Sequence, residues 1–236
     1  FEASEVVMDY HVLSRAKDHQ TDVILVAVKK SVLELYMDAI SAASLKPKII
    51  DVDYFALQNV FEANYPVQAQ EAVAIVDIGA SAMKCVVVQD GIPVFTKDTG
   101  IGGRNLTLEI QRQLNLSYVD AEALKTDSRG GGVPQEVSDL MHIMSENLAG
   151  EVKKALDFYN ASSSGAPVAY VLLCGGCSKL PNLAKTVEDT VGLPVQLINP
   201  FNSVTYDSGV FPPDYIASIA PAAAIPVGLA LRAAAR

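Results

Sequence analysis

The sequence predicts an α/β fold, and two observations lead to this prediction. Short apolar runs typical of strands alternate with longer segments whose apolar residues recur at helical spacing, and mostly short turns join them. The chain has 236 residues, of which 50% are apolar, so it can bury a sizeable core or form two lobes. We therefore expect a two-lobed protein in which strands and helices are mixed.

The composition disfavours several classes of protein. The 18 basic and 27 acidic residues give a net charge of -9, so nucleic acid and anionic membranes are disfavoured as direct partners. Three cysteines favour a reducing compartment over a disulfide framework. The long apolar run over residues 216–235 is rich in alanine and contains two prolines and Arg232. We interpret it as a buried helix rather than a membrane span.

The first 65 residues are predicted to form a β-β-α-β unit followed by a helix. Two strand-like runs come first, EVVMDYHVLSR and TDVILVAVKK. A helix follows over SVLELYMDAISAASL, with Ser31 as its N-cap. We then expect a strand over KPKIIDVDYF and a second helix over FALQNVFEANY. Because the chain begins without methionine and within a strand pattern, we also expect a segment to precede it.

The rest of the chain alternates between strands and helices. The predicted elements are, in chain order, a hairpin over VAIVDIGASAMKCVVVQDG, a strand around Ile92–Lys97, a helix opened by glycines over GIGGRNLTLEIQRQLNL, a short helix over SYVDAEALKTD, a loop over SRGGGVP, a long amphipathic helix over 135–160, and a strand, glycine turn, helix and strand over VAYVLLCGGCSKLPNLAKTVEDTVGLPVQLINP.

The hairpin contains the first candidate site. Its first strand ends on Asp77 and turns through Gly79. A carboxylate at this point can face a hydrated Mg²⁺, while Gly79 lets the backbone approach a ligand closely. The amides of Ala80 and Ser81 can point at phosphate oxygens. An ordinary tight hairpin with an exposed acid is the alternative for the same residues.

A second candidate site follows a buried strand in VAYVLLCGGCSKLPNL. Gly175 and Gly176 lie between this strand and a helix, which leaves room for a flat ligand, although a simple strand-to-helix turn is the alternative. Cys174 and Cys177 formally make a C-x-x-C pair. A redox or metal role for the pair is disfavoured because no further ligand is near in sequence and the three histidines are scattered.

A third candidate lies between these two. Gly102 and Gly103 open a helix, which suits either an anion site or a glycine-rich cap. Glu122 and Lys125 are three residues apart on the next helix and therefore share a face. They are either a solvated ion pair or a polar pair that contacts ribose hydroxyls and the edge of a base.

In this order and at this spacing the motifs resemble the actin-like ATPase superfamily. Within it the chain is most similar to the PilM family of type IV pilus assembly proteins, with FtsA as a cousin. The matching segments are VDIGASAMK (second phosphate loop), GIGGRNLT and AEALK (nucleotide-contacting helices), LLCGGCSKLPNL (adenosine motif) and AAAIPVGLALR (closing helix). The opening unit resembles the small subdomain that these proteins insert in their first lobe.

The resemblance implies an actin-like (ribonuclease H-like) two-lobed α/β fold with the first lobe only partly present. It divides the chain into an inserted subdomain with the remainder of the first lobe (1–65), a second-lobe sheet with the phosphate loop (66–100), a helical upper subdomain (101–165), and a second-lobe sheet with the adenosine motif and closing helix (166–236). The family's first phosphate loop is not among these residues. Ala82 also stands where FtsA-type loops carry a hydroxyl.

ATP and Mg²⁺ are the ligands that the resemblance implies. The implied roles are Mg²⁺ held through water (Asp77), contact with the β- and γ-phosphates (Gly79, Ala80, Ser81), proximity to the phosphates (Gly102, Gly103), contact with ribose and base (Glu122, Lys125) and contact with adenosine (Gly175, Gly176). No catalytic residue is assigned, and we expect at most a weak ATPase activity.

The implied function is that of a cytoplasmic ATP-binding scaffold of the type IV pilus inner-membrane platform, active in twitching motility. Its expected partners are the cytoplasmic N-terminal tail of PilN, with docking residues somewhere in 1–60, and other platform proteins, so that it meets the membrane only through partners. One alternative is a nucleotide-free scaffold similar to the type II secretion L protein, and another is a small-molecule kinase of the same superfamily. FtsA itself is disfavoured because no basic amphipathic helix follows the closing helix.

Overall fold

A computed structural model describes residues 2–15, 21–127, 130–162 and 165–234. The chain divides into two compact units, Phe1–Ile50 and Asp51–Arg236. The first contains a hairpin and a helix, and the second contains a five-stranded sheet with helices on both faces. The division into four parts that the sequence suggested stays a prediction.

After a 3-10 turn at Ala3–Glu5, the first unit has two antiparallel strands, β1 (Val6–Arg15) and β2 (Thr21–Lys29). Helix α1 (Lys30–Ala42) follows β2 without an intervening loop. These elements confirm the predicted strand, strand and helix, while the residues AKDHQ between the two strands lie outside the described residues. Ser31 is not the N-cap, because the helix begins one residue earlier and Lys29, the last residue of β2, takes the cap position without a side-chain cap bond.

The prediction of a strand over KPKIIDVDYF is wrong. Residues 45–52 belong to no helix or strand, and α2 (Asp53–Asn64) begins inside the predicted strand. An extended apolar run becomes a strand only when it pairs with another, and no ladder in the described part of the chain includes these residues. Asp53 also favours a helix start, because a carboxylate in the first turn complements the helix dipole.

The sheet of the second unit has the order β5-β4-β3-β6-β7. Its strands are β3 (Ala72–Ile78), β4 (Met83–Gln89), β5 (Ile92–Thr99), β6 (Val168–Cys174) and β7 (Val195–Leu197). The first three form an antiparallel meander, whereas β6 and β7 run parallel to β3. Every residue of β3 is buried, which explains its almost purely apolar sequence. The predicted hairpin and the strand after it are confirmed.

Helices cover both faces of this sheet. The helices of the second unit are α2, α3 (Gly103–Leu114), α4 (Tyr118–Thr126), α5 (Gln135–Ser162), α6 (Leu183–Val191), α7 (Pro213–Ile219) and α8 (Ala224–Ala234). Successive side chains of a strand point to opposite faces. Val76 and Ile78 of β3 therefore join the core made with α3, α5 and α6, whereas Val73 and Ile75 join the core made with α2 and α8.

The C-terminal apolar run is a helix interrupted by a 3-10 turn at Ala220–Ala223. Its span Pro213–Arg232 has the length and the mean hydropathy, 1.5, of a membrane-crossing helix, and 28% of it is buried within the protein. Composition and length are weak evidence for a span, because a core helix meets the same test. One face of α8 packs on α2, where the Asn59 amide donates to the Gly228 carbonyl at 3.3 Å and Arg232 pairs with Asp51. The predicted buried helix is therefore buried on one face.

Candidate functional site

Asp77 ends β3 as a nearly buried carboxylate, with 8% of its surface exposed. The ladders place it opposite Lys84 on β4 and Cys174 on β6. Burial raises the pKa of Asp77, and the Lys84 ammonium and a hydrogen bond from the Cys174 thiol oppose that rise. The acid is therefore not the exposed residue of an ordinary hairpin.

The loop after β3 presents two backbone donors. The Gly79 amide closes the turn by donating to the Ala82 carbonyl at 3.0 Å. Ala80 and Ser81 are exposed, and their amides have no acceptor within the part of the chain that the structure describes. Adjacent amides without an acceptor, on exposed residues, can bind an anion.

The first turn of α3 packs directly against this loop. The Gly103 amide donates to the Gly79 carbonyl at 3.0 Å and the Arg104 amide to the Ala80 carbonyl at 2.8 Å. A Cβ on Gly102 would lie 2.6 Å from both carbonyl oxygens, so glycine is needed there for the close approach. The structure brings Gly102 and Gly103 to the loop, but the Gly103 amide already donates within the protein. That Gly102 and Gly103 lie near the phosphates of a nucleotide stays a prediction.

Glu122 and Lys125 on α4 form part of a compact polar network. The Lys125 ammonium donates to Glu122 Oε2 at 2.7 Å, to Thr107 Oγ1 at 2.9 Å and to the Gly103 carbonyl at 3.2 Å. The Lys125 side chain is only 14% exposed, so the pair is more than a solvated ion pair. Burial would raise the pKa of Glu122, but hydrogen bonds from Lys125 and Thr107 outweigh it and lower that pKa.

Gly175 lies against the end of β3 in a conformation that favours glycine. Its φ is +85°, and an added Cβ would meet Ile78 O at 2.4 Å and Asp77 Oδ1 at 2.7 Å. The Gly175 amide donates to the Pro221 carbonyl at 2.8 Å. Gly176 differs, because it is exposed and an added Cβ would meet no atom within 4 Å.

Every candidate segment from the sequence is therefore joined to its neighbours by contacts. Gly175 meets Asp77, the loop after Asp77 meets α3, and Gly103 of α3 meets Lys125. Sequence reasoning missed three polar residues of this region: Thr107, which is fully buried, Lys84 and Asp53. The hairpin register could have identified Lys84, since a turn at 79–82 places it opposite Asp77.

The donor set fits Mg²⁺ that arrives together with phosphate. Among the described residues there is no group of three or more His, Cys, Asp or Glu side chains that could hold a metal ion alone. Mg²⁺ commonly keeps several waters and takes one or two carboxylates together with phosphate oxygens, and Asp77 beside the Ala80 and Ser81 amides matches that need.

The two cysteines of the CGGC segment are buried free thiols. Burial raises the pKa of Cys177 to about 11 and that of Cys174 well above its usual value. Both therefore remain protonated near neutral pH, which disfavours a reactive redox pair.

The sheet of the second unit, with its antiparallel meander and two further parallel strands, and the glycine turns at its strand ends define a protein of the actin-like class. Two solved structures of that class match the fold. EutJ from Carboxydothermus hydrogenoformans is 20% identical with a TM-score of 0.62, and 86% of this chain aligns with 61% of that chain. MreB5 of Spiroplasma citri bound to AMPPNP is 13% identical with a TM-score of 0.57, and 86% aligns with 64%.

The family of type IV pilus assembly protein PilM matches residues 1–234. The chain belongs to this family. A chain of a PilM-PilN type IV pilus biogenesis complex is 26% identical with a TM-score of 0.83, and the match covers 98% of this chain and 67% of that one. The chain thus spans about two thirds of that relative's length and less than two thirds of EutJ and MreB5. The resemblance seen in the sequence and its actin-like fold are confirmed.

Proposed function

We propose that the chain binds Mg²⁺ and ATP where the candidate segments meet, and serves as a scaffold in type IV pilus assembly. The observation that supports this most directly is the convergence of Asp77, the 79–82 loop, the first turn of α3 and Gly175. Segments separated by up to about a hundred residues along the chain contact one another at the end of β3.

Each part of the site has a role in this proposal. Asp77 holds Mg²⁺ through water, and the amides of Ala80 and Ser81 donate to phosphate oxygens. Gly175 and Gly176 leave space for the adenosine, and Glu122 and Lys125 contact ribose and base. Gly102 and Gly103 keep the loop against α3. Mg²⁺ supplies positive charge that offsets the phosphates.

These residues provide positioning and charge, with no pair assigned to acid-base chemistry. We therefore infer a scaffold whose nucleotide state, rather than a product, is the output. A nucleotide-free scaffold is the second candidate, and one observation favours it: the first amides of α3 and the Lys125 ammonium already have partners within the protein.

Asp77→Asn should weaken Mg²⁺-dependent nucleotide binding about tenfold, the effect of losing a hydrogen-bonded charge. The measurement is titration of a fluorescent ATP analogue into the protein with and without Mg²⁺. Asp214→Asn changes an exposed acid on α7 and should leave both affinities unchanged. Absence of binding by the unaltered protein would favour the nucleotide-free scaffold.

We also propose that the protein binds the cytoplasmic N-terminal tail of PilN, and so lies in the cytoplasm at the inner membrane. The similarity over 98% of the chain to a member of a PilM-PilN complex supports this partner. The first unit exposes the apolar side chains that an extended peptide needs, including Tyr10 (67%), Leu25 (63%) and Leu35 (72%).

A labelled peptide with the sequence of the PilN tail should bind saturably, as measured by fluorescence anisotropy. Leu25→Ser should weaken this binding because it removes exposed apolar surface from the first unit. A scrambled peptide of the same composition is the control. Equal binding of the two peptides would contradict the proposed partner and would leave the nucleotide proposal unaffected.

A further inference from the structure

A row of polar side chains crosses the sheet at the end of β3. Asp77 lies opposite Cys174 on β6 and Lys84 on β4, and Lys84 lies opposite Asp98 on β5. Directly opposite residues project from the same face of a sheet, so these four side chains form one line across four strands. The buried strand residues beside this line on that face are apolar: Val73, Ile75, Val86, Val88 and Leu172.

The first turn of α2 contacts this row at two points. The Lys84 ammonium donates to the Asp53 carboxylate, and the Tyr54 hydroxyl donates to Asp98 Oδ1 at 2.6 Å. The Lys84 side chain is 28% exposed and that of Asp53 is 42% exposed, so the ion pair is partly shielded from water. α2 has no side-chain cap at its N-terminus. The two contacts with the row therefore stabilise the first turn of α2.

Lys84 interacts with three carboxylates at once. It donates directly to Asp53, and the charges of Asp77 and of Asp98, which lies opposite it on β5, attract it as well. A cation at Asp77 would offset the attraction of Lys84 to Asp77 and would itself repel the ammonium. Lys84 would then be held by Asp53 and Asp98 alone, so its contact with α2 would strengthen.

We propose that Lys84 transmits the occupation of Asp77 by a cation to the first turn of α2 through Asp53. This inference rests on the proposed function, because it assumes that Asp77 receives Mg²⁺ with a nucleotide. The first turn of α2 directly follows residues 43–52, which lead from the first unit into the second in sequence. Ligand binding would thus make the start of α2, which directly follows this connecting segment, more ordered.

Hydrogen-deuterium exchange of the amides of Phe55 and Ala56 reports on this turn, because both donate to the Val52 carbonyl, at 2.9 and 3.0 Å. Mg²⁺ with AMPPNP should slow their exchange about threefold, as expected for strengthening a partly exposed ion pair. At a ligand concentration that saturates each protein, Lys84→Met should lose this slowing. Lys97→Met is the control: Lys97 is a lysine of β5 that lies over the ring of Phe158 on α5, and this variant should respond as the unaltered protein does.

A ligand-free comparison separates this inference from the proposed function. Asp77→Asn removes one of the two carboxylates that compete with Asp53 for Lys84, and should slow exchange of the first turn of α2 about threefold without any ligand. In the Lys84→Met background, Asp77→Asn should not change the exchange of this turn. Asp53→Asn removes the carboxylate on α2 and should likewise abolish the response to Asp77→Asn. An equal response with and without Lys84 would overturn the inference. If no variant binds the nucleotide, the proposed function fails and this comparison alone decides the role of Lys84.

Discussion

Gly175→Ala is expected to lower the free energy of unfolding by about 3 kcal/mol or more, through backbone strain and steric overlap. The added Cβ would lie 2.4 Å from Ile78 O and 2.6 Å from Ile78 C, which are backbone atoms of the buried central strand β3. They cannot move aside without disturbing the ladders to β4 and β6. The φ of +85° adds a further cost for any residue with a Cβ. Urea denaturation followed by circular dichroism measures the loss.

Gly176→Ala is the matched control on the neighbouring residue. Its added Cβ would meet nothing within 4 Å, so the change in unfolding free energy should stay within about 0.5 kcal/mol. Similar losses in the two variants would contradict the close approach of Gly175 to β3. If Gly175→Ala still folds, it should also weaken Mg²⁺-dependent binding in the proposed site, because the new methyl group would lie 2.7 Å from Asp77 Oδ1.

The fold could be predicted wherever local pattern and tertiary context agree. The apolar run that leads to Asp77 in β3 predicts a buried strand, and the glycine pair at 102–103 predicts the start of α3, as the structure shows. The segment 46–55 is where this reasoning fails. Its Ile-Ile pair has strand propensity, but a strand needs a partner, and which segments pair is not written in the segment itself.

The segments of the candidate site could be predicted from the sequence, but the contacts between them could not. Asp77 and Gly175 were identified from glycine turns after apolar strands, a signal that lies within a few residues. Asp53 lies on α2, which packs on the face of the sheet that carries Asp77. No local sequence pattern connects the two residues. Thr107 lies on a buried helix face, where a threonine is often only a packing residue. Such contacts depend on register and helix docking, which a single sequence does not specify.

Gly228→Ala is expected to destabilise the protein by about 3 kcal/mol or more, the cost of forcing a methyl group into a closely packed contact. The added Cβ would lie 1.9 Å from Ala56 O and 2.5 Å from Ala56 C, so α8 and α2 meet backbone to backbone at this point. Because α2 also packs on β3 and β4, separating the two helices would open the core that contains Leu57 and Val60. Thermal and urea unfolding measure the effect.

The same substitution at Gly150 should act in the opposite direction. Gly150 lies within α5, and its added Cβ would meet nothing within 4 Å, so alanine should stabilise the helix by up to about 1 kcal/mol. The pair of variants also distinguishes two interpretations of the C-terminal apolar run. A large loss at Gly228 with a gain at Gly150 means that α8 is a core helix held by α2, since the apolar character then serves packing. A gain at both positions would mean that α8 does not need this contact, and its length and mean hydropathy would then have to be explained by an apolar environment outside the protein.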